Sequence, residues 1–171
     1  MPSFRLRISE GDLPVWASRY SYPGEAEIEE RVAPAAHTRG YLTREEFLAL
    51  CRWKTPRSQP RCAKNRGELV CEVTRIALAA TDEEIKIRML LILTGVSWPT
   101  ASVILHFCDR GRYPILDFRA LWSVGIRRMP AYTFPLWWRY TCFVRSIQDR
   151  TGLSMRTIDR ALWQYSKERQ P

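Results

Sequence analysis

Apolar positions along this chain recur at helical rather than strand spacing. After Pro135, the residues Trp137, Tyr140, Thr141, Val144 and Ile147 return every three or four positions, and the run stops at Thr151-Gly152. That is the one-sided stripe of an amphipathic helix. The stretch from Glu83 to Leu93 is strongly apolar, is broken by Thr94-Gly95-Val96-Ser97-Trp98-Pro99, and resumes a helical pattern from Thr100 to Phe107. The pattern predicts helix, tight turn, helix. Capping boxes, Thr43 with Glu46 and Thr81 with Glu84, predict helix starts at Thr43 and Thr81, each with a hydroxyl acceptor and a carboxylate three residues on. Asp117 stands at the N-cap position of a short helix, FRALWSV, which Gly125 ends. A last helix is capped by Ser154, with Leu153 and Ile158 placed as a hydrophobic staple.

The remaining segments are less regular. Residues 1–40 are rich in turn residues and aromatics and hold one short helical candidate, EAEIEERVA, before Pro34. The stretch RWKTPRSQPRCAKNRG has two prolines and no acid, which predicts a loop leading into a helix from about Glu68 to Ala80. No sustained alternation of apolar and polar residues occurs, so any strand is minor and falls near Phe4 to Ile8. No internal repeat points to a solenoid. The expected fold is all-α, a compact multi-helix domain of about seven helices around one core. Residues 1–40 form an irregular arm on this reading, and residues 41–171 form the helical domain.

Composition narrows the function. With 46% hydrophobic and 12% aromatic residues, seven of them Trp, the chain of 171 residues lies outside the disordered regime and can bury one core. No apolar run is long enough to span a bilayer, and the N-terminus lacks an apolar stretch of signal-peptide length. A cytoplasmic place is expected, at the nucleoid in a bacterium, with no membrane partner and a monomeric state. The cysteines, Cys51, Cys62, Cys71, Cys108 and Cys142, include no CxxC pair and do not match compact zinc or iron–sulfur spacings. Free thiols, no metal and no cofactor are expected. Of the net charge of +9, residues 1–40 contribute five Arg/Lys against six Asp/Glu, leaving 22 against 12 for residues 41–171. A basic body suits a polyanion, because Lys and Arg neutralise phosphates and release their counterions.

Two places concentrate the chemistry. Gly95 permits a sharp turn at positive φ, Pro99 is pre-set for the first turn of a helix, and the turn amides can point at a phosphate oxygen. Such a hairpin holds a DNA backbone without reading bases; an ordinary αα-hairpin is the plain alternative. The other place is Arg52 to Arg66, where Arg52, Lys54, Arg57, Arg61, Lys64 and Arg66 surround Trp53 with no acid among them. Those cations suit phosphates, and Trp53 suits either the core or stacking on a base. Trp98, at the hairpin tip, suits packing on a neighbouring helix or insertion into a duplex. His37 and His106 are isolated, and His106 lies in an apolar run that suits the core.

The string LTGVSWPTASVIL followed by YPILDFRALWSVG resembles the central signature of the helix-hairpin-helix DNA glycosylase superfamily over roughly Leu90 to Gly125. Leu93, Gly95, Val96, Thr100 and Ala101 fall on that family's hairpin positions, and Asp117 falls on its acidic position. The resemblance implies duplex DNA as partner, with Gly95, Val96, Ser97, Trp98 and Thr100 among the DNA-binding residues. It implies for Asp117 a catalytic role, stabilising positive charge on the sugar as a base departs. An N-cap role also fits Asp117 and is compatible with the first. Three positions depart from the pattern: Ser97 replaces the second hairpin glycine, Pro99 stands where bifunctional members have a lysine nucleophile, and Phe118-Arg119-Ala120 replaces a histidine-containing stretch. Proline has no primary amine, so a Schiff-base lyase step at Pro99 is excluded. The expected function is DNA binding of the helix-hairpin-helix type, with monofunctional N-glycosylase activity on a damaged base as its catalytic form. The rivals are a non-catalytic DNA-binding module on the same fold and a basic protein-interaction domain.

Overall fold

The computed structural model describes residues 3–171. Among them the regular structure is helical throughout, in the order α1 (Leu13–Ser18), α2 (Glu25–Glu27), α3 (Ala33–Arg39), α4 (Arg44–Lys54), α5 (Gln59–Cys62), α6 (Gly67–Ala79), α7 (Glu83–Leu90), α8 (Trp98–Cys108), α9 (Phe118–Ser123), α10 (Phe134–Thr151) and α11 (Met155–Arg169). The chain forms two compact units, one of Tyr22–Gly111 and the other of the residues up to Ser21 together with Arg112–Pro171.

In the Tyr22–Gly111 unit, α8 is the central element. Its residues Thr100 to Leu105, Phe107 and Cys108 are all buried, and α3, α4 and α7 pack against it. A helix apolar on nearly every side must be enclosed in this way. The capping box at Thr43 forms: Thr43 Oγ1 accepts from the Glu46 amide, and Glu46 Oε2 accepts from the Thr43 amide at 2.8 Å. The box expected at Thr81 does not form. Asp82 caps α7 instead, its Oδ1 accepting from the Ile85 amide at 2.9 Å, because a carboxylate one residue nearer the helix competes for the same orphan amides. The short helix expected to end before Pro34 runs on through it. Residues Ile28–Val32 form a π-helical turn in which the Ala33 amide reaches back to Ile28 O. The wider turn makes room for a proline ring that has no amide to donate, so α3 continues to Arg39. A buried ion pair, Lys86 Nζ to Asp109 Oδ2 at 2.5 Å, ties α7 to the end of α8.

In the other unit α11 is central, and α1, α9 and α10 pack against it. Trp16 meets Tyr165 edge-on, and Tyr20 meets Trp163 in the same way. The predicted stripe on α10 is buried from Trp137 to Ile147, and Gly152 caps its end. Ser154 accepts from the Thr157 amide to start α11. The strand expected near Phe4 to Ile8 does not form: residues 4–6 have no regular structure, and Arg7 and Ile8 lie in a bend. The Arg5 and Arg7 amides donate to Val124 O and Ser123 O, each at 2.9 Å, in the loop that ends α9. Residues 1–40, expected to be an irregular arm with one helix, carry α1, α2 and α3. Leu13 and Trp16 supply α1 with buried anchors, and Pro14 sits in its first turn, where the missing amide costs nothing.

The division also separates the charge. The unit containing α11 holds fourteen Arg/Lys against six Asp/Glu, whereas Tyr22–Gly111 holds thirteen against twelve. Six of those thirteen lie between Arg52 and Arg66, so the basic segment is a cationic patch on a unit that is otherwise acidic.

Candidate nucleic-acid interface

The hairpin turn joins α7 to α8 through Leu91–Ser97. Gly95 adopts φ +84, and a Cβ there would fall 2.8 Å from both the backbone N and the Sγ of Cys62 and 3.0 Å from the Arg61 Cβ. Two reasons therefore require glycine: the left-handed backbone and the close approach of α5. The Val96 amide closes the turn on Leu93 O at 3.0 Å. Ser97 is the N-cap of α8 but makes no side-chain capping bond, so its helix start keeps open amides of the kind that receive anions.

Asn65 holds the basic segment to this turn. Its Nδ2 donates to Thr94 O at 2.8 Å, its Oδ1 accepts from the Thr94 amide at 2.9 Å, and Nδ2 also reaches Cys62 O at 2.8 Å. The amide side chain thus copies a strand pairing with one residue of the hairpin. Arg44 fastens the far side, donating from Nε to Asn65 O at 3.0 Å and from Nη2 to Ala63 O at 2.7 Å. Gln59 Nε2 donates to Leu48 O and joins α5 to α4. The segment expected to be a loop is therefore structured. Arg52 and Lys54 belong to the last turn of α4, Pro56–Ser58 make a 3-10 turn, and Arg61 lies on α5.

The fixed backbone presents its cations outward. Arg52, Arg57, Arg61, Lys64 and Arg66 are exposed and make no ion pair among the described residues; Lys54 is half-buried. Elsewhere in the same unit Arg31 pairs with Glu27, Arg39 with Glu46 and Arg88 with Glu84. Gly95, Val96 and Trp98 are half-buried and Ser97 is exposed, while Thr100 is buried with its Oγ1 3.5 Å from Thr55 Oγ1. Thr100, 1% exposed, therefore presents no side chain to a ligand. Trp53 packs edge-on against Tyr22 and Phe107, which is a packing role. Asn65, Arg44 and Gln59 are the residues that sequence reasoning missed, since a single Asn within a cationic run carries no periodic or motif signal.

Asp117 lies in the other unit and is only 7% exposed. Its Oδ1 accepts from the Ala120 amide at 2.8 Å, which caps α9. The polar groups around the same segment are satisfied: Asp159 Oδ1 accepts from the Ile115 amide at 3.0 Å, Asp159 Oδ2 accepts from Arg156 at 2.6 Å, and Tyr140 Oη donates to Ile115 O at 3.2 Å. Burial pushes the Tyr140 phenol well above its ordinary pKa, and the charges of Asp159 and Asp117 push it the same way. The Tyr132 phenol is raised by burial and then by Asp117, so the Asp117 charge reaches both rings. Ile115 and Leu116, which precede Asp117, are buried, but Phe118 is 46% exposed and lies under the Arg119 guanidinium.

Cys51, Cys62 and Cys108 are buried, and burial pushes the Cys51 and Cys108 thiols far up, so neither supplies a thiolate. Among the described residues no group of three or more His, Cys, Asp or Glu is placed to hold a metal ion, and no helix is long and apolar enough to cross a membrane.

No family model matches the sequence, and no curated protein matches it. Among solved structures the chain is similar to an 8-oxoguanine glycosylase/lyase of Methanocaldococcus jannaschii, determined in complex with a 15mer DNA containing 8-oxoguanine. The similarity has a TM-score of 0.47 at 17% identity and covers 93% of this chain and 79% of that one. A likeness of that degree does not bear on what the site does.

Proposed function

We propose that the protein binds duplex DNA through its phosphate backbone, using the hairpin at Gly95 and the basic segment Arg52–Arg66. The observation that carries this reading is the docking of Gly95 on Arg61–Cys62, fastened by Asn65. It fixes Arg52, Arg57, Arg61, Lys64 and Arg66, which make no ion pair among the described residues, beside an uncapped helix start. Like charges held together on an ordered backbone repel one another, and an anionic ligand relieves that cost. Backbone amides and cations both contact phosphates, so binding is expected to show little sequence preference. The test is a titration of the whole chain against a random-sequence duplex over a range of salt. Steeply salt-dependent binding supports the reading, and salt-insensitive binding or none overturns it.

The catalytic form of this reading is hydrolysis of an N-glycosidic bond with Asp117 as the charged group. This form rests on the acidic position of the resembled family, on which Asp117 falls; the carboxylate is 7% exposed and caps α9, so the form requires that it be opened to the nucleotide. A nucleotide turned out of the duplex would lose its base as the C1′–N bond breaks, Asp117 stabilising the cationic sugar. Water then supplies hydroxide to C1′ and a proton to the departing base, with no covalent enzyme–DNA intermediate. Incubating the protein with duplexes carrying alkylated, deaminated or oxidised bases, then cleaving abasic sites chemically, tests this form. If no base is excised, the non-catalytic module stands.

A further inference from the structure

The unit that carries α11 has most of the net charge, yet the hairpin and basic segment lie in the other unit. Most of its carboxylates are engaged by arginines, in the pairs Arg19–Glu168, Arg112–Asp149, Arg150–Glu10 and Arg156–Asp159. Arg5 and Arg127 make no such pair among the described residues and are exposed, and with Arg7 they line one open groove of about 560 Å³. Ser3, Leu6, Trp122, Gly125 and Tyr165 complete its walls, and no acid lines it among the described residues.

The groove is built rather than incidental. One side of it is the segment whose Arg5 and Arg7 amides are bonded to Val124 O and Ser123 O. Gly125, at φ +96, lets that segment close in: a Cβ there would come 3.0 Å from Arg5 O. Arg7 is locked, its Nε donating to Trp122 O at 2.7 Å and its guanidinium lying 4.5 Å above the Trp122 ring, while Tyr165 Oη donates to Arg7 O at 3.2 Å. An open, polar, cationic groove without an apolar pocket suits a continuous row of phosphates better than a side chain or a lipid tail.

We propose that the groove of Arg5, Arg7 and Arg127 is a second contact site for the phosphodiester backbone of duplex DNA, separate from the hairpin. The inference rests on the duplex-DNA reading, but not on the hairpin as its carrier. The experiment compares three variants of the full chain with wild type, by fluorescence anisotropy on a random-sequence duplex at several salt concentrations. They are Arg5→Ala/Arg127→Ala in the groove, Arg57→Ala/Arg61→Ala/Lys64→Ala at the hairpin, and Arg19→Ala/Arg150→Ala as a control for charge lost elsewhere on the unit. Arg7 is left intact because its side chain holds Trp122. The groove variant should melt as wild type does, lose on the order of 10-fold in affinity at low salt, and show a log–log salt slope smaller by roughly 0.9 for each lost contact. The control should change neither quantity by as much.

The outcomes separate the two readings. A groove variant with wild-type affinity and slope, beside a weakened hairpin variant, overturns the groove and leaves the proposed function standing. An equal loss in the control also overturns the groove, because net charge alone then accounts for the effect. A weakened groove variant beside an unaffected hairpin variant supports the groove and overturns the hairpin. If the wild type does not bind duplex DNA, both fall.

Discussion

The segment around Arg61 and the segment around Asp117 each place charged side chains beside a helix start, and they treat that charge in opposite ways. Around Asp117 every named charge is answered within the unit: Asp117 caps α9, and Asp159 joins Arg156 to the Ile115 amide. Around Arg61 the backbone is answered and the side chains are not. Asn65 and Arg44 satisfy carbonyls and amides, while Arg57, Arg61, Lys64 and Arg66 point outward without carboxylate partners. Burial of charge without partners costs several kcal/mol, so a buried carboxylate must be satisfied for the unit to fold. Exposed cations meet no such requirement, and their clustering needs another explanation. The carboxylate is held by donors of its own unit, whereas the cations are left to solvent, which is the arrangement the proposed DNA binding uses.

The sharpest way to break this contrast is at Gly95. Gly95→Ala places a methyl group 2.8 Å from Cys62 N and Sγ on a backbone at φ +84. We expect it to cost about 2–4 kcal/mol of stability and to loosen the basic segment, so that DNA affinity falls with the melting temperature. Thermal melting with a parallel DNA titration checks both. Unchanged melting would mean that the hairpin and α5 are not docked as described.

Removing the cations should separate binding from folding. Arg57→Ala/Arg61→Ala/Lys64→Ala should lower affinity on the order of 100-fold at low salt and flatten the salt slope by roughly 2.7, with stability within about 0.5 kcal/mol of wild type. Chemical denaturation beside the binding titration measures this. A large loss of stability would place these side chains in the fold rather than in the interface.

At Asp117 the expected pattern is reversed. Asp117→Ala should cost about 1–2 kcal/mol by removing the α9 cap, whereas Asp117→Asn, an adequate N-cap, should cost little. DNA binding should survive both. Any base excision should be lost in both, since the amide lacks the charge that the developing cation requires. Equal excision by wild type and Asp117→Asn would remove this carboxylate from the chemistry, and borohydride should trap no adduct at Pro99.

The smallest effect is one of pH. Burial raises the pKa of Glu46, but hydrogen bonds from Arg39 and from the Thr43 amide and hydroxyl outweigh it and leave the carboxyl below its ordinary value. A carboxyl depressed in the folded state stabilises the fold above its unfolded pKa of about 4.3, and that contribution is lost as pH falls through the folded value. Glu46→Gln should cost about 1 kcal/mol at neutral pH and make the acid limb of the stability profile shallower, with DNA affinity unchanged. Denaturation midpoints from neutral pH down to the acid transition check it. A steeper acid limb would contradict the sign.

Much of the local structure was legible in order along the chain. Thr43 with Glu46, Asp117, Gly125, Gly152 and Ser154 each mark a helix boundary by chemistry that acts within four residues, and the stripe from Trp137 to Ile147 declares the buried face of its own helix. Such signals need no partner to be read. The hairpin turn and the cationic run were legible for the same reason, because Gly95 and six basic residues announce themselves by type. Where two local signals competed, at Thr81 and Asp82, or where a proline met a helix that could widen around it, sequence rules chose wrongly.

The tertiary structure decided which of those pieces belong together. Asn65 on Thr94, Arg44 on Ala63 and Asn65, and Gly95 on Cys62 are contacts between residues distant in sequence, and each depends on shape that forms only when α4, α5 and the hairpin are in place. The grouping of Arg5 and Arg7 with Arg127 likewise depends on the N-terminal segment docking on the end of α9. Charge adds along a sequence regardless of order, so composition alone fixed that the protein is basic. Whether a cation is spent on a carboxylate or left for a ligand depends on what lies within a few ångströms of it, and only folding sets that distance.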